Sequence, residues 1–315
     1  MGKLTIPLLK TLCIFFMGIQ SVYGQQYFVL DENSSQYSSK SYTLNTASLY
    51  TIKAEIALVN ILLTEPLNYK GAEEQNTLVL FSVLPDLIEK ENWTAINLDT
   101  IQDKILSTGK LRLLSQQSLL QLFDFNYGDK TKYWNEYKLI VKRGEQYFVA
   151  KNCLLQFFAI RNRPNIFTNT YGTINTDQTP ISIVAFRSIF KNTYSYANFP
   201  LNLPPNDSGF DRRRDRREYL SKEITLNGAS RFFQFWTYTD WGQTIIESVD
   251  PNPRGVFAYE RGIDRFIYHP EHLIVGGSFD FYFYYYRRET GMKAAQFDEN
   301  INAEKVIIAD ELQEK

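Results

Sequence analysis

The sequence is poor in the residues that cross-link chains or bind metals. Its 315 residues include two Cys and two His. Cys13 lies in an N-terminal segment that is expected to be removed, so the remaining Cys153 has no partner for an intramolecular disulfide. The folded chain must therefore be held together by its core alone.

Cys153 opens the apolar run Cys153–Phe158 (CLLQFF). These neighbours favour a buried, inert thiol over a nucleophile, because a nucleophile needs an accessible thiolate and a nearby His. We expect Cys153 to belong to the core.

Neither sign of charge predominates in the chain, which has 34 basic and 35 acidic side chains. Removal of residues 1–24 would take away Lys3 and Lys10 and no acid. The 34 basic side chains minus these two leave 32, against 35 acidic ones, for a formal net charge of −3. A nucleic-acid partner is not expected, because it would require a basic surface.

Motifs of the common catalytic and cofactor sites are also missing. The sequence has no G-x-S-x-G elbow, no phosphate-binding or dinucleotide glycine pattern, and no H-E-x-x-H zinc motif. We therefore predict no catalytic residue and no cofactor.

Two potential metal ligands do lie close together in His269-Pro270-Glu271-His272, where Glu260 or Asp264 would be needed as a third ligand. Pro270 and the flanking strand patterns favour a hairpin turn with exposed imidazoles. We predict no metal site here.

Residues 1–24 have the pattern of a secretory signal peptide. Lys3 and Lys10 supply positive charge, Thr11–Ile19 (TLCIFFMGI) is apolar, and Val22-Tyr23-Gly24 precedes a cleavage point before Gln25. The apolar run is far shorter than the roughly 20 residues that span a bilayer. We expect an exported protein, in the periplasm, at the cell surface or in the medium, with no transmembrane anchor after cleavage.

Aromatic residues are abundant, with 21 Tyr, 23 Phe and 4 Trp, and many lie in runs typical of half-buried strands. Such runs predict a mainly β protein, with an N-terminal mixed β/α region followed by an antiparallel β-sandwich or jelly-roll-like C-terminal domain. The stretch Leu49–Leu63 also has helical spacing, although its β-rich surroundings favour a strand. Gly144 favours a hairpin turn between Tyr137–Val141 and Tyr147–Phe158.

Further elements follow from local patterns. Asp99 is expected to cap a helix that ends at Leu106, Gly109 to interrupt it, and Ser115 to cap a second helical segment. The other predicted strands are Gln25–Leu30, Thr77–Leu84, Ile181–Phe186, Arg231–Thr239, Thr244–Val249, Val256–Tyr259, Phe266–Tyr268, His272–Val275 and Ser278–Arg287.

A change in composition divides the chain. Residues 200–218 combine a Pro-rich stretch with the run Asp211–Glu218 (DRRRDRRE), which is typical of a solvated linker or loop. The predicted parts are a signal peptide (1–24), an N-terminal mixed β/α domain (25–199), the Pro/Arg-rich segment (200–218), a C-terminal β domain (219–290) and a polar extension (291–315).

Aromatic side chains of the C-terminal region are the candidate binding residues, because rings supply stacking platforms and interface anchors. They are Trp236, Tyr238, Trp241 and Tyr259. Carboxylates lie among them and would be the acid–base candidates of a glycosidase, which needs a facing pair. They are Asp240, Glu247, Asp250, Glu260 and Asp264.

Because the sequence lacks the common catalytic motifs, it favours a non-catalytic interaction or structural component of the periplasm, cell envelope or surface. Such a component would bind a protein or a glycan. The alternative is a carbohydrate-binding module or glycoside hydrolase that uses aromatic platforms and paired carboxylates.

Overall fold

The computed structural model describes residues 24–63, 76–120, 131–161, 172–182, 185, 217–226, 230–238 and 262–312. Within them the chain is mainly β, as the sequence predicts. In chain order the strands are β1 (Gln26–Val29), β2 (Ser38–Asn45), β3 (Glu55–Leu63), β4 (Asn76–Leu84), β5 (Trp93–Ile96), β6 (Lys132–Trp134), β7 (Tyr137–Arg143), β8 (Gln146–Ala150), β9 (Asn152–Ile160), β10 (Thr173–Ile174), β11 (Arg217–Leu226), β12 (Ser230–Tyr238), β13 (Arg265–His269), β14 (Leu273–Ser278) and β15 (Ile307–Ile308).

Helices are fewer and mostly short. They are α1 (Ala47–Tyr50), α2 (Thr108–Leu120), α3 (Asp280–Tyr285), α4 (Arg287–Thr290) and α5 (Ala294–Asn302), with 3₁₀ turns at Leu98–Thr100, Gln102–Lys104 and Asp310–Leu312.

Three sheets organise the described strands. The outer sheet has the order β1-β7-β8-β5, and the central sheet has the order β10-β9-β4-β3-β2 with β6 also paired to β9. The C-terminal sheet is antiparallel, with the order β11-β12-β13-β14-β15. Successive strands of the C-terminal sheet are neighbours, which is the arrangement that short strands separated by turns favour.

The central sheet is buried on both faces, which explains why β3, β4 and β9 are almost continuously apolar. Val59, Phe81 and Leu155 face a core shared with the outer sheet and α2. Their neighbours along each strand, such as Leu58 and Leu154, face a second core shared with the C-terminal sheet and helices α1, α3 and α5. The period of two along a strand thus assigns alternate residues to two different cores.

Polar residues in these apolar strands mark where the C-terminal sheet docks. The side chain of Asn60 in β3 donates to the Ile274 carbonyl at 2.9 Å and accepts from the Ile274 N–H at 3.0 Å. Gln156 in β9 accepts from the N–H of Ile263 at 3.0 Å. Each buried amide therefore satisfies backbone groups of the opposite layer.

Several predicted elements are confirmed and others are wrong. The strand preference holds for Glu55–Leu63, while Leu49 lies in α1. Gly144 has a φ of 60° in the β7–β8 turn, as the hairpin prediction requires. Gly109 does not interrupt a helix, because it lies in the first turn of α2. The side chain that caps this helix is that of Ser107 and not that of Ser115: the Ser107 hydroxyl accepts a hydrogen bond from the Lys110 N–H at 3.3 Å.

The predicted strand Ser278–Arg287 is wrong beyond its first residue, because Asp280–Tyr285 is a helix. Its residues from Asp280 to Tyr284 are buried, and Tyr50 stacks on Phe283 with ring centroids 3.7 Å apart. Tertiary packing has overridden the strand propensity of the aromatic run.

Three further predictions fail in their described parts. The helix predicted over residues 99–106 is replaced by two 3₁₀ turns. Ile181 and Ser182 lie in no strand. The predicted linker is wrong for its last two residues, because Arg217 and Glu218 lie in β11 and Glu218 is buried. The predicted strands Thr244–Val249 and Val256–Tyr259, residues 1–23 of the predicted signal peptide and residues 200–216 lie outside the described residues. The domain division therefore stays a prediction.

Candidate functional site

An open cleft of about 700 Å³ lies where strand ends of the central sheet meet the β5 side of the outer sheet. We call it the strand-end cleft. It is lined by Asn45, Ile52, Lys53, Ala54, Glu55, Pro85, Asp86, Leu87, Lys90, Glu91, Asn92, Trp93, Arg143 and Phe148.

One wall of the cleft is the turn between β4 and β5, which is shaped by two short polar side chains. Asp86 accepts hydrogen bonds from the N–H groups of Ile88 and Glu89, both at 3.0 Å. Asn92 closes the turn by accepting from the Asp86 N–H at 3.2 Å, and it donates to the Glu55 carbonyl at 3.1 Å. These bonds fix the turn that carries Lys90 and Glu91.

The opposite wall carries an arginine held against two rings. The guanidinium carbon of Arg143 lies 4.9 Å from the Trp93 ring centroid and 5.4 Å from that of Phe148. Arg143 is the last residue of β7, and Phe148 lies in β8 beyond the Gly144 turn, so the hairpin brings them together. Cation–π contact holds the guanidinium in place while its N–H groups stay exposed.

Charges in the strand-end cleft differ in how far they are already paired. Glu91 lies 3.0 Å from the Lys151 ammonium, which also contacts Glu89 at 2.6 Å, and these carboxylates raise the pKa of Lys151. By contrast, the side chains of Arg143, Lys53 and Lys90 make no hydrogen bond or ion pair within the described residues. Within the described residues, the charged groups of the lining whose side chains make no hydrogen bond or ion pair are therefore these three cations and the exposed carboxylate of Glu55.

Trp236, the predicted binding residue whose side chain is described, does not line the strand-end cleft. Trp236 is buried in β12, with the Arg265 guanidinium 5.4 Å from its ring centroid. Tyr238 is the last residue of the same strand. Trp241 and Tyr259 lie outside the described residues, so the role assigned to this aromatic set stays a prediction.

Of the five carboxylates considered for glycosidase chemistry, Asp264 alone falls within the described residues. It is buried, and one of its oxygens accepts from the Phe281 N–H at 3.4 Å. Asp240, Glu247, Asp250 and Glu260 lie outside the described residues, so the facing pair stays a prediction.

The two histidines lie at the β13–β14 turn, as the hairpin interpretation predicts. His269, Glu271 and His272 each offer a ligand atom within 4.8 Å of the others. However, Nδ1 of His269 accepts from the N–H groups of Glu271 at 3.1 Å and His272 at 3.3 Å. The neutral ring then carries its proton on Nε2, so His269 caps the turn and has no free lone pair for a metal.

A buried ionic cluster lies beneath the C-terminal sheet. Arg265 and Asp280 are fully buried and form an ion pair of 2.6 Å. The Tyr50 hydroxyl donates to Asp280 at 3.0 Å and accepts from the Phe279 N–H at 2.6 Å. Burial raises the pKa of Asp280 to about 6; the positive charge of Arg265 opposes this effect, and the nearby Asp264 adds to it.

Cys153 is buried, as predicted, and burial raises the pKa of its thiol to about 12. A thiol with so high a pKa is protonated at neutral pH and unreactive.

The sequence contains the cleft residues but does not single them out. Trp93 was visible only within the glycosylation-type pattern Asn92-Trp93-Thr94, and Arg143 only as part of a turn. The predicted Gly144 hairpin accounts for the pairing of β7 with β8, but no local pattern specifies the pairing of β5 with β8, which brings Trp93 to Arg143. The available signals were Phe148 in the predicted strand Tyr147–Phe158 and Arg143 beside the predicted hairpin turn; Trp93 lies in no predicted strand.

Comparison with known proteins finds no matching family model, no matching curated protein and no matching solved structure. No function is therefore transferred to this chain by similarity. Among the helices of the described residues, none has the length and apolar character needed to cross a membrane.

Proposed function

We propose that the protein is an exported, non-catalytic interaction component that holds a segment of a partner protein in the strand-end cleft. The observation that carries the proposal is Arg143, laid on Trp93 and Phe148 with its N–H groups exposed. Arginine and large aromatic residues dominate the energetics of protein interfaces. Export is inferred from the signal-peptide pattern of residues 1–24.

The lining of the strand-end cleft supports a binding role over a catalytic one. Among the described residues that line it, none is a Ser, Cys, His or Tyr that could act as a nucleophile or proton shuttle. Its carboxylates are Glu55, Asp86 and Glu91, of which Asp86 is bonded to the β4–β5 turn and Glu91 is paired with Lys151. A hydrolase that works through two carboxylates would need both to act on the substrate.

A glycan ligand is the alternative, because Trp93 and Phe148 offer rings beside the amides of Asn45 and Asn92. Sugars stack on the open face of an aromatic ring. Arg143 already occupies a face of both rings, so sugar stacking would have to displace the guanidinium. A protein segment, whose carboxylates can bind the guanidinium where it lies, is therefore favoured.

Photo-crosslinking in the cells that make the protein tests this proposal. A photoreactive residue is placed at Lys53 or Lys90 in the cleft, with Lys110 on the exposed side of α2 as the control position. We expect one discrete protein adduct from the cleft positions, absent from the control position and lost when Arg143→Gln is added. Equal labelling from Lys110, or cleft adducts that carry glycan and no protein, would contradict the proposal.

A further inference from the structure

Strand β5 has a free edge beside the strand-end cleft. On one side β5 pairs with β8, and within the described residues no strand pairs with its other side. The Lys151 N–H donates to the Asn92 carbonyl at 2.9 Å. Because bonded pairs alternate along an antiparallel ladder, Thr94 bonds toward β8 while the backbone groups of Trp93 and Ala95 point outward.

Two of the other sheet edges, those of β1 and β11, are covered in part. In β1, the Tyr27 carbonyl accepts from the Leu106 N–H at 2.7 Å. In β11, the Leu220 carbonyl accepts from the Ile181 N–H at 2.9 Å. Thr94 and Ala95, by contrast, are exposed. An exposed edge with unpaired backbone groups is a template for an added strand.

The register places Arg143 on the same face of the outer sheet as the side chains next to this edge. Trp93 and Ala95 share one face of β5, and Ala95 lies directly opposite Phe148. Phe148 in turn lies opposite Val141, two residues before Arg143 on β7. A strand added to β5 would therefore direct every second side chain toward the face that carries the guanidinium.

We propose that the partner segment adds to the free edge of β5 as an extended strand and places a carboxylate side chain on Arg143. This inference rests on the proposed function, since it describes how the strand-end cleft is occupied. Main-chain hydrogen bonds to Trp93 and Ala95 supply binding energy, and the carboxylate on the planar guanidinium supplies selectivity. Within the described residues, three cations of the lining (Arg143, Lys53 and Lys90) have no ion pair, against two such carboxylates (Glu55 and Asp86), and this excess of positive charge favours an acidic segment.

Synthetic peptides test both parts of the inference on the purified full chain. The probes are a fluorescein-labelled peptide of alternating Thr and Glu, its Thr–Gln isostere, and the Thr–Glu peptide with N-methyl groups on alternate backbone nitrogens. We expect the Glu peptide to bind about tenfold or more tightly than the Gln isostere, the effect of one charge-assisted contact. We expect N-methylation to weaken binding by a similar factor because it removes strand-pairing donors.

Protein variants locate the contact. Arg143→Gln should abolish the preference for Glu over Gln, while Arg143→Lys should restore part of it because charge returns without the planar fork. Lys142→Gln is the matched control. Lys142 is adjacent to Arg143 in the sequence, is exposed and does not line the cleft, so this variant removes one positive charge without touching the proposed contact. Thermal unfolding checks that each variant is folded.

The outcomes separate this inference from the proposed function. A preference for Glu that survives Arg143→Gln, or falls equally with Lys142→Gln, would overturn the carboxylate contact. Binding insensitive to N-methylation would overturn strand addition, and so would the absence of any peptide binding. The crosslinking experiment in cells, which tests the proposed function, does not depend on any of these peptide results. Binding of a uronic-acid oligosaccharide in place of the peptides, with the same dependence on Arg143, would move the assignment to a glycan.

Discussion

Asp280 is a fully buried carboxyl that is paired with Arg265 and lies near a second buried carboxyl, that of Asp264. Two carboxylates beside a single Arg265 leave the cluster with one excess negative charge when both are ionised. The cluster therefore favours a proton on one of them, in agreement with the raised pKa of about 6 for Asp280.

A raised folded pKa makes stability depend on pH in a defined direction. Because the folded state holds the Asp280 proton more tightly than the unfolded state, the stabilisation is complete below the ordinary carboxyl pKa near 4. It is lost as the pH rises through about 6. The free energy of unfolding should therefore decrease by on the order of 1–3 kcal/mol across this interval on account of this group.

Asp280→Asn tests this, because the amide keeps the shape of the carboxyl and cannot titrate. From chemical denaturation at several pH values, we expect the variant to gain stability relative to the original protein between pH 4 and 7. Asp103→Asn, at an exposed position, is the control and should show no such trend. A difference in the free energy of unfolding that stays constant with pH, or a variant whose relative stability falls as the pH rises, would mean that Arg265 keeps Asp280 ionised throughout.

At the scale of elements, the docking of the C-terminal sheet depends on polar side chains that interrupt apolar strands. Asn60→Leu keeps a similar volume but leaves the N–H and carbonyl of Ile274 buried without their partner. We expect the free energy of unfolding to fall by about 2–4 kcal/mol, since each unsatisfied buried group costs about 1–3 kcal/mol.

Ser82→Ala is the matched control for Asn60→Leu. Ser82 is buried in β4 on the same face of the central sheet, and within the described residues its hydroxyl has no hydrogen-bond partner. Its removal should change stability by much less. Equal losses in the two variants, measured by denaturant unfolding, would show that the cross-layer bonds of Asn60 do not specify docking.

These elements also show what the sequence can and cannot predict. The apolar runs of β3, β4 and β9 and the Gly144 turn were predictable, because each depends on a local pattern with a direct physical meaning. Helix α3 was not, since its conformation follows from packing against Tyr50, more than 200 residues earlier in the chain. The strand-end cleft could not be predicted for the same reason, because Trp93 and Arg143 are brought together by strand pairing.

At the scale of the whole molecule, the regions on either side of residues 200–218 share one core. Leu58 and Leu154 of the central sheet belong to the same buried cluster as Phe235 and Phe266 of the C-terminal sheet. The Asn300 amide of α5 donates to the Leu49 carbonyl at 3.0 Å, and the Tyr282 hydroxyl donates to the Pro85 carbonyl. Parts that complete each other's core are expected to unfold together.

Limited proteolysis tests this expectation together with the predicted linker. The segment Pro200–Arg217 combines a Pro-rich stretch with a run of five Arg, and this composition leaves little apolar surface to bury. We expect trypsin to cut there first and to give two bands on a denaturing gel. The nicked protein should nevertheless elute at its intact size and unfold in one transition, because the shared core holds both fragments.

Two results would contradict this prediction in different ways. A released fragment that begins near Glu218, stays folded and melts on its own would establish an independent C-terminal domain and show that the shared core contributes little to its stability. Arg212 and its neighbours left uncut under conditions that cleave other sites would mean that the charged run is ordered, with its guanidinium groups paired to acids. In that case the composition of residues 200–218 would mark a structured segment in place of a linker.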